Sequence, residues 1–241
     1  MMKYMGFEFA PQHVAIIPDG NRRYAKKLGL AAVKGHMKGY EGARAILDKA
    51  YECNVKYVTY WGASISNLTK RSQVEVEGLY KVFYQVFSSI LEDSELAEKQ
   101  VRIRVLGKWE EFFPERVKSL IRKAVDKTQH FTGYHLTFLL GYNGDVEMTE
   151  AIQSIVDNSE EGVKITPDLV KQHLYTHDLP PVDLVIRTGS KSDPHNSVGF
   201  MMWDTANSQF HYTESLYPEF TPEEFEAGIE DFSSREKRQG K

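Results

Sequence analysis

Short apolar runs alternate with longer amphipathic stretches along most of the chain. Five runs have the length and the β-branched or aromatic content of buried strands: 13–17, 55–61, 101–107, 136–142 and 182–188. Helical spacing of apolar residues is clearest in 41–53, 74–98, 114–130, 147–156 and 167–174. This alternation predicts an α/β fold, an open and mostly parallel sheet flanked by helices. No repeat, linker or break in composition divides the sequence, so we expect a single domain, 1–241.

The composition is that of an ordinary globular protein, with 41% hydrophobic and 27% charged residues. A net charge of −4 argues against nucleic acid as a partner, which needs a broad basic surface. The single cysteine, Cys53, excludes an internal disulfide and a cysteine metal site. The sequence shows neither a secretion signal nor an apolar segment of about 18–20 residues, and we therefore expect a cytoplasmic protein.

Polar and glycine-rich loops follow four of the predicted strands. They are 18–23, 62–67, 141–145 and 187–190. In parallel sheets ligands bind where the carboxyl ends of the strands meet, so position alone nominates these loops as the site.

The first of these loops, Pro-Asp-Gly-Asn-Arg-Arg at 18–23, carries groups suited to a phosphorylated ligand. Arg22 and Arg23 can donate bidentate hydrogen bonds to phosphate, and Asp19 can hold Mg²⁺ against phosphate oxygens. A helix beginning here would add backbone N–H donors. The alternative is an ordinary Asp-Gly-Asn turn with solvated arginines. His36 and Arg187 supply further donors, which favours the phosphate site.

Several segments together resemble the cis-prenyltransferase family, which includes the undecaprenyl diphosphate synthases. The run 13–25, followed by Gly35, His36 and Gly39, resembles the first family signature. Asn67, Arg71 and Glu75 resemble the second, with one extra residue between Asn67 and Arg71. The segments 181–189 and 234–240 resemble the last signature and the arginine-rich end, so the likeness covers nearly the whole chain.

The resemblance implies an apolar tunnel in the fold, Mg²⁺ as cofactor, an allylic prenyl diphosphate as substrate and a homodimer that uses the C-terminal segment. A greasy substrate also implies transient contact with a membrane. By the same likeness Asp19 and Asn67 are catalytic, with Asp19 a metal ligand. The expected substrate-binding residues are Gly20, Asn21, Arg22, Arg23, Tyr24, Lys34, His36, Ser64, Arg71 and Arg187, the last on the acceptor's diphosphate.

The sequence departs from the family pattern on the acceptor side. The segment 190–199 is about three residues longer than expected and lacks the family's second arginine, although 200–203 matches the strand that should follow. Gln209 stands where a glutamate is expected to complete the Mg²⁺ site, and a neutral amide is a poor replacement. Ala32 replaces an arginine, with Lys34 the nearest substitute, and Asp145 replaces another.

These departures lead to the hypothesis of a prenyltransferase whose acceptor is not isopentenyl diphosphate. The prenyl cation would pass to a second allylic diphosphate, to another nucleophile or water, or would cyclise. The alternatives are ordinary chain elongation with isopentenyl diphosphate, a non-catalytic subunit of a heteromeric enzyme, and a carrier without turnover. Tyr80, Phe83, Tyr84 and Phe87 share a helical face that either lines the tunnel or packs on the sheet.

Overall fold

The computed structural model describes residues 10–160 and 162–235. Its six strands form one sheet in the order β3-β4-β2-β1-β5-β6, and every neighbouring pair is parallel. The strands are β1 (His13–Ile17), β2 (Tyr57–Ala63), β3 (Val101–Leu106), β4 (Tyr134–Leu140), β5 (Leu184–Arg187) and β6 (Gln209–Tyr212). The predicted α/β class and the open parallel sheet are therefore confirmed.

Ten α-helices and one 3₁₀ helix accompany the strands in the described residues. They are α1 (Asn21–Lys27), α2 (Ala32–Glu52), α3 (Ile65–Thr69), α4 (Gln73–Glu92), α5 (Glu95–Glu98), α6 (Trp109–Phe112), α7 (Glu115–Thr128), α8 (Gly144–Asn158), α9 (Pro167–His173), the 3₁₀ helix Tyr217–Glu219 and α10 (Pro222–Ser234). None of the helices described is both long and apolar enough to cross a bilayer.

The sheet separates two apolar clusters. One face, with Val14 and Ile16 of β1, packs against α2, α4, α7 and α10. The opposite face, with Ala15 and Ile17, packs against the segments around Val182 and Phe200. Because side chains alternate along a strand, a central strand buried on both faces offers few polar positions, which explains the apolar run of β1 after His13.

Two sequence predictions about elements need correction. The run 200–203 was expected to be a strand but forms turns, with Phe200 and Met201 fully buried. Phe200 packs against Trp61 at a ring-centroid distance of 5.1 Å, so its apolarity reflects core packing rather than sheet pairing. The true last strand is β6. The predicted helix 74–98 ends at Glu92 and resumes as α5, because Asp93 adopts an extended conformation.

Close packing of α1 on α2 depends on glycine. A Cβ on Gly35 would lie 2.0 Å from the Asn21 carbonyl oxygen, and one on Gly39 would lie 2.4 Å from Asn21 Oδ1. These approaches fix the N-terminal half of α2, with His36, directly beneath the loop that follows β1. Gly42 lies on the same helix with nothing within 4 Å of its added Cβ.

We expect Gly35→Ala to lower the free energy of unfolding by about 3 kcal/mol or more, because backbone atoms must move to admit the methyl group. Gly42→Ala is the matched control and should raise stability by about 0.5–1 kcal/mol through helix propensity. Urea denaturation of the three proteins measures both effects. Equal stability of the two variants would contradict the packing argument.

Candidate active site

The carboxyl ends of β1 and β5 carry an ion pair between Asp19 and Arg187. Arg187 Nη2 donates to Asp19 Oδ2 at 3.0 Å, and the Arg187 side chain is only 8% exposed. Asp19 Oδ1 accepts from the Gly20 N–H at 2.6 Å and lies 3.3 Å from Arg23 Nη2. Arg23 Nη2 also donates to the Gly189 carbonyl at 2.7 Å. The loops after the two strands are thus joined through charged side chains.

Gly20 is required at this loop for two reasons. Its φ of 105° lies in the left-handed region, and an added Cβ would lie 2.8 Å from Leu216. Gly20 precedes α1 directly, so the turn places Arg22 and Arg23 on the first turn of that helix. Both arginine residues are exposed, as a ligand site requires.

A polar cleft opens in front of this loop. The cations in its wall are Arg22, Arg23, Lys26 and Arg71, and His36 lies among them. Arg22 Nε is 3.9 Å from Glu75 Oε1, so one carboxylate partly balances these charges. Lys26 and Glu75 were not among the predicted binding residues, although Lys26 follows Arg22 by one helical turn and could have been found from that spacing.

His36 is neutral at physiological pH. Burial, Arg71 and Arg22 lower its pKa to about 4, and Arg71 Nη1 donates to His36 Nε2 at 3.3 Å. Burial and the charge of Arg22 also lower the pKa of Arg71. Burial is the main cause of both shifts, and the neighbouring guanidinium groups add to it, so this wall carries positive charge that favours binding of an anion.

A mainly apolar cavity of about 670 Å³ continues from the cleft between α2, α4 and the sheet, and charged side chains that include Arg44, Asp48 and Lys99 line part of it. Cleft and cavity share Pro18, Asp19, Asn21, His36 and Arg71, so the two form one continuous site. Lining residues on α2 run from His36 to Tyr51, about 22 Å along the helix axis. The lining face of α4 is aliphatic apart from Phe83 near its centre and Ser89 near its end. A ligand that fills both parts would have an anionic head and a long apolar tail.

The aromatic face of α4, formed by Tyr80, Phe83, Tyr84 and Phe87, mostly does not line the cavity. Of its four residues only Phe83 lines the cavity. Tyr80 donates through its hydroxyl to the Phe112 carbonyl, Tyr84 is 44% exposed and Phe87 packs on Phe138. The packing alternative therefore describes most of this face, and the cavity extends past it.

The short helix α3 carries Asn67 into the wall of the cavity. Ser64 Oγ caps α3 by accepting a hydrogen bond from the Asn67 N–H at 3.1 Å. In turn, Asn67 Oδ1 accepts from the Ser64 N–H at 3.4 Å. Asn143, in the nominated loop 141–145 but not among the predicted binding residues, accepts the Ile65 N–H at 3.1 Å through Oδ1. Ser64 therefore holds the turn that presents Asn67, and both residues line the cavity.

Two predicted binding residues lie outside the walls of the site. Lys34 is exposed on α2 and lines neither cleft nor cavity. It precedes His36 by two residues, about 200° around a helix, so it points away when His36 faces inward. Tyr24 is half-buried on α1 and also absent from both walls. Asn21 is present but buried, with Nδ2 bonded to the Pro18 carbonyl.

The long segment 190–199 closes on Arg187. Nη1 of Arg187 donates to the His195 carbonyl and to Ser197 Oγ, each at 2.9 Å. The neighbouring Val198 has a φ of 39°, a conformation that a β-branched residue rarely adopts. The guanidinium expected to bind an acceptor diphosphate is therefore held by the protein's own chain.

Gln209 does not lie beside Asp19 within one chain. It begins β6 opposite Leu184, at the amino end of the pair, whereas Arg187 pairs with Tyr212 at the carboxyl end. Gln209 Oε1 accepts from Arg235 Nη1 at 3.3 Å. The resemblance at 236–240 lies outside the described residues.

A family model described as putative undecaprenyl diphosphate synthase matches residues 17–240. The chain belongs to the cis-prenyltransferase family. It is an enzyme that transfers prenyl groups. An isoprenyl transferase of Thermotoga maritima is 37% identical over 232 residues, covering 95% of this chain and 97% of the relative. A tritrans,polycis-undecaprenyl-diphosphate synthase (geranylgeranyl-diphosphate specific) of Thermoplasma volcanium is 32% identical over 236 residues, covering 96% and 89%.

Among solved structures, this cis-prenyltransferase is similar to lavandulyl diphosphate synthase from Lavandula x intermedia in complex with dimethylallyl diphosphate. The TM-score is 0.86 at 26% identity, and the match covers 95% of this chain and 98% of that one. The likeness extends over the sheet and the helices that frame the cleft and the cavity.

The depressed pKa of His36 predicts a pH dependence of stability. In the unfolded chain His36 titrates near 6.5 but in the folded chain near 4, so between these values the unfolded state binds more protons. Stability should therefore fall as the pH falls through this window. We expect His36→Gln to reduce the loss of unfolding free energy between pH 7 and 4.5 by roughly 2 kcal/mol. His130→Gln, at an exposed position away from the site, is the control. Parallel pH profiles for wild type and His36→Gln would contradict the assignment.

Proposed function

We propose that this enzyme ionises an allylic prenyl diphosphate and transfers the prenyl group to an acceptor other than isopentenyl diphosphate. The observation that carries the donor half is the continuity of a cationic cleft with a long apolar cavity at Asp19, His36 and Arg71. A diphosphate fits the cleft and a prenyl tail fits the cavity, which gives the cavity the role of the expected tunnel.

Breaking the allylic C–O bond places negative charge on the diphosphate and positive charge on carbon. Arg22, Arg23 and Arg71 line the cleft before the substrate arrives, so they stabilise the leaving diphosphate without reorganisation. Neutral His36 accepts from Arg71 through Nε2, which leaves Nδ1–H as a donor to a phosphate oxygen. Asn67 Nδ2 makes no hydrogen bond within residues 10–160 and 162–235, so it is free to contact a reacting group in the cavity that it lines.

The residues present fit a magnesium ion shared with the substrate. In the described part of the chain no group of three or more histidine, cysteine or carboxylate side chains could hold a metal. Mg²⁺ commonly binds one or two carboxylates together with substrate phosphates, and Asp19 supplies one carboxylate at the cleft. When bound, the ion would neutralise charge on the departing diphosphate.

The acceptor half of the proposal rests on Arg187. A diphosphate-bearing acceptor must displace the His195 carbonyl and Ser197 Oγ from its guanidinium. This competition weakens binding of isopentenyl diphosphate at Arg187 and favours an acceptor that does not use this guanidinium: another nucleophile, cyclisation, or a second allylic diphosphate whose diphosphate binds elsewhere in the cleft. The likeness to a lavandulyl diphosphate synthase structure supports an irregular coupling of this kind.

Ordinary chain elongation is the second candidate function. It is favoured by the extent of the cavity along α2 and by relatives named undecaprenyl-diphosphate synthases. A non-catalytic subunit is disfavoured, because such a subunit has no need of the assembled cleft. A cytoplasmic homodimer that makes transient membrane contact remains part of the proposal.

Asp19→Ala should lower diphosphate release at least about 100-fold, since the carboxylate that would hold Mg²⁺ against the leaving diphosphate is lost. We would incubate wild type and variant with Mg²⁺ and C5 to C20 allylic diphosphates, with and without isopentenyl diphosphate. Asp157→Ala, at an exposed position in the last turn of α8, is the control. Asp19-dependent release without isopentenyl diphosphate is the expected result. A ladder of C5 additions formed only with isopentenyl diphosphate would establish chain elongation instead, and no release in any mixture would favour the subunit.

Ser197→Ala tests whether the 190–199 segment blocks the acceptor. Removing one acceptor from Arg187 Nη1 weakens the closed segment, so incorporation of isopentenyl diphosphate should rise about three- to tenfold. Ser192→Ala, exposed in the same segment, should leave incorporation at the wild-type level. Product mass spectrometry measures both. Unchanged incorporation in Ser197→Ala would show that this contact does not govern acceptor choice.

A further inference from the structure

The head of the apolar cavity carries polar atoms that no protein group satisfies. Asn21 Oδ1, the hydroxyls of Tyr60 and Tyr217, and Arg187 Nε are buried without a hydrogen-bond partner in the described residues, and all four side chains line the cavity. Buried polar atoms are nearly always paired in folded proteins. A concentration of unpaired atoms on one wall therefore marks a place where a ligand supplies the partner.

Tyr60 and Tyr217 stand next to each other on this wall. Tyr60 lies on β2 and is 6% exposed, whereas Tyr217 begins the 3₁₀ helix and is 7% exposed. Their ring centroids are 6.2 Å apart in an edge-to-face arrangement. Burial is the main cause that raises the pKa of Tyr60, and the nearby Tyr217 hydroxyl adds to it, yet the two hydroxyls form no hydrogen bond of acceptable geometry. Burial raises the pKa of Tyr217 as well, so both are neutral phenols near pH 7.

The two tyrosine residues lie next to the loop 18–23 that follows β1. The Tyr217 N–H donates to the Asp19 carbonyl at 2.9 Å. Gly39 lies against both the Tyr217 ring and Asn21. A Cβ added to Gly39 would be 2.8 Å from the ring and 2.4 Å from Asn21 Oδ1, so the ring and the amide oxygen are close to each other. A prenyl diphosphate with its head in the cleft would place the first carbons of its tail beside these hydroxyls.

We propose that Tyr60 and Tyr217 form a subsite for one hydroxyl oxygen, from water or an alcohol, which captures the allylic cation when no carbon acceptor is bound. The inference rests on the proposed function and names an acceptor class for the same site. A phenol both donates and accepts, and Asn21 Oδ1 accepts. One phenol can donate to the hydroxyl oxygen while the other phenol or Asn21 Oδ1 accepts a hydrogen bond from its O–H, which leaves a lone pair for carbon.

The reaction at this subsite balances without an oxidant or reductant. The allylic C–O bond breaks with its electron pair on the diphosphate. The hydroxyl oxygen forms a new C–O bond to the same allylic system and gives up its proton to the released diphosphate. Water yields a prenyl alcohol and an alcohol yields a prenyl ether. The neutral phenols position the oxygen and do not act as bases.

Oxygen-18 labelling tests the reaction directly. The enzyme would be incubated with dimethylallyl or farnesyl diphosphate and Mg²⁺ in ¹⁸O-water, without isopentenyl diphosphate. Capture of the cation puts ¹⁸O on carbon, whereas a contaminating phosphatase cleaves the P–O bond and leaves ¹⁶O there. A second arm with added ethanol separates an alcohol-accepting subsite, which gives an ethyl ether, from one that accepts water alone. We expect ¹⁸O-labelled prenol, and unlabelled prenol alone would overturn the proposal.

The variants Tyr60→Phe, Tyr217→Phe and the double variant keep the rings and remove the hydroxyls. We expect the double variant to lower the ratio of ¹⁸O-prenol to other products about tenfold or more. Tyr80→Phe is the matched control, because its hydroxyl bonds the Phe112 carbonyl and lies outside the cavity wall. A ratio that is equal in the double variant and in wild type would overturn the assignment to the phenol pair.

A crystal structure provides a readout that does not depend on turnover. The proposal requires electron density for an oxygen within hydrogen-bond distance of the Tyr60 and Tyr217 hydroxyls, lost in the double Phe variant. If none of the allylic diphosphates releases diphosphate, the proposed function fails, and the electron density alone then decides whether the subsite binds an oxygen. Absence of that oxygen in the wild-type crystal overturns the subsite itself.

Discussion

The ion pair between Asp19 and Arg187 is the interaction on which the arrangement of the site depends. It joins the carboxyl ends of β1 and β5, on the side of β1 where the strand order changes direction. Asp19 also binds the Gly20 N–H and faces Arg23, so the loop, the start of α1 and the last segment before β6 are oriented together. A charged pair with one member almost fully buried is costly to break, which gives the site a fixed frame.

The ion pair lies where two environments of different polarity meet, the polar cleft and the apolar cavity. Above Asp19 the cleft is cationic and open, and below it the cavity is bounded by aliphatic residues of α4 and by the sheet. Gly35 and Gly39 let α2 approach α1 closely, and this places neutral His36 where the cleft passes into the cavity. A molecule with separate ionic and apolar parts gains binding free energy in both the cleft and the cavity, whereas inorganic diphosphate gains it in the cleft alone. Chemistry at the bond between the two parts then occurs where both environments meet.

Most of the sheet could be predicted from the sequence because its central strands are buried on both faces and therefore read as apolar runs. The edge strand β6 was missed, since all four of its residues are half-buried and its sequence, Gln-Phe-His-Tyr, alternates polar and aromatic side chains. Helix α10 was also missed, although Thr221, Pro222 and Glu224 form a capping box with proline at the first helical position. The cationic loop was predictable from position and residue type. The placement of Lys34 was not, because rotation around α2 decides which side chains reach the cleft.

Tyr60 and Tyr217 show a limit of sequence reasoning that has a physical cause. A tyrosine in a strand or beside a proline indicates core packing, and both rings do pack in the core cluster. Only the three-dimensional arrangement reveals that neither hydroxyl has a hydrogen-bond partner among residues 10–160 and 162–235. Leaving such a group unsatisfied costs about 1–3 kcal/mol, so phenylalanine at either position would be the more stable choice for the empty protein. Retention of two hydroxyls at the head of one cavity is therefore better explained by a ligand that uses them than by folding.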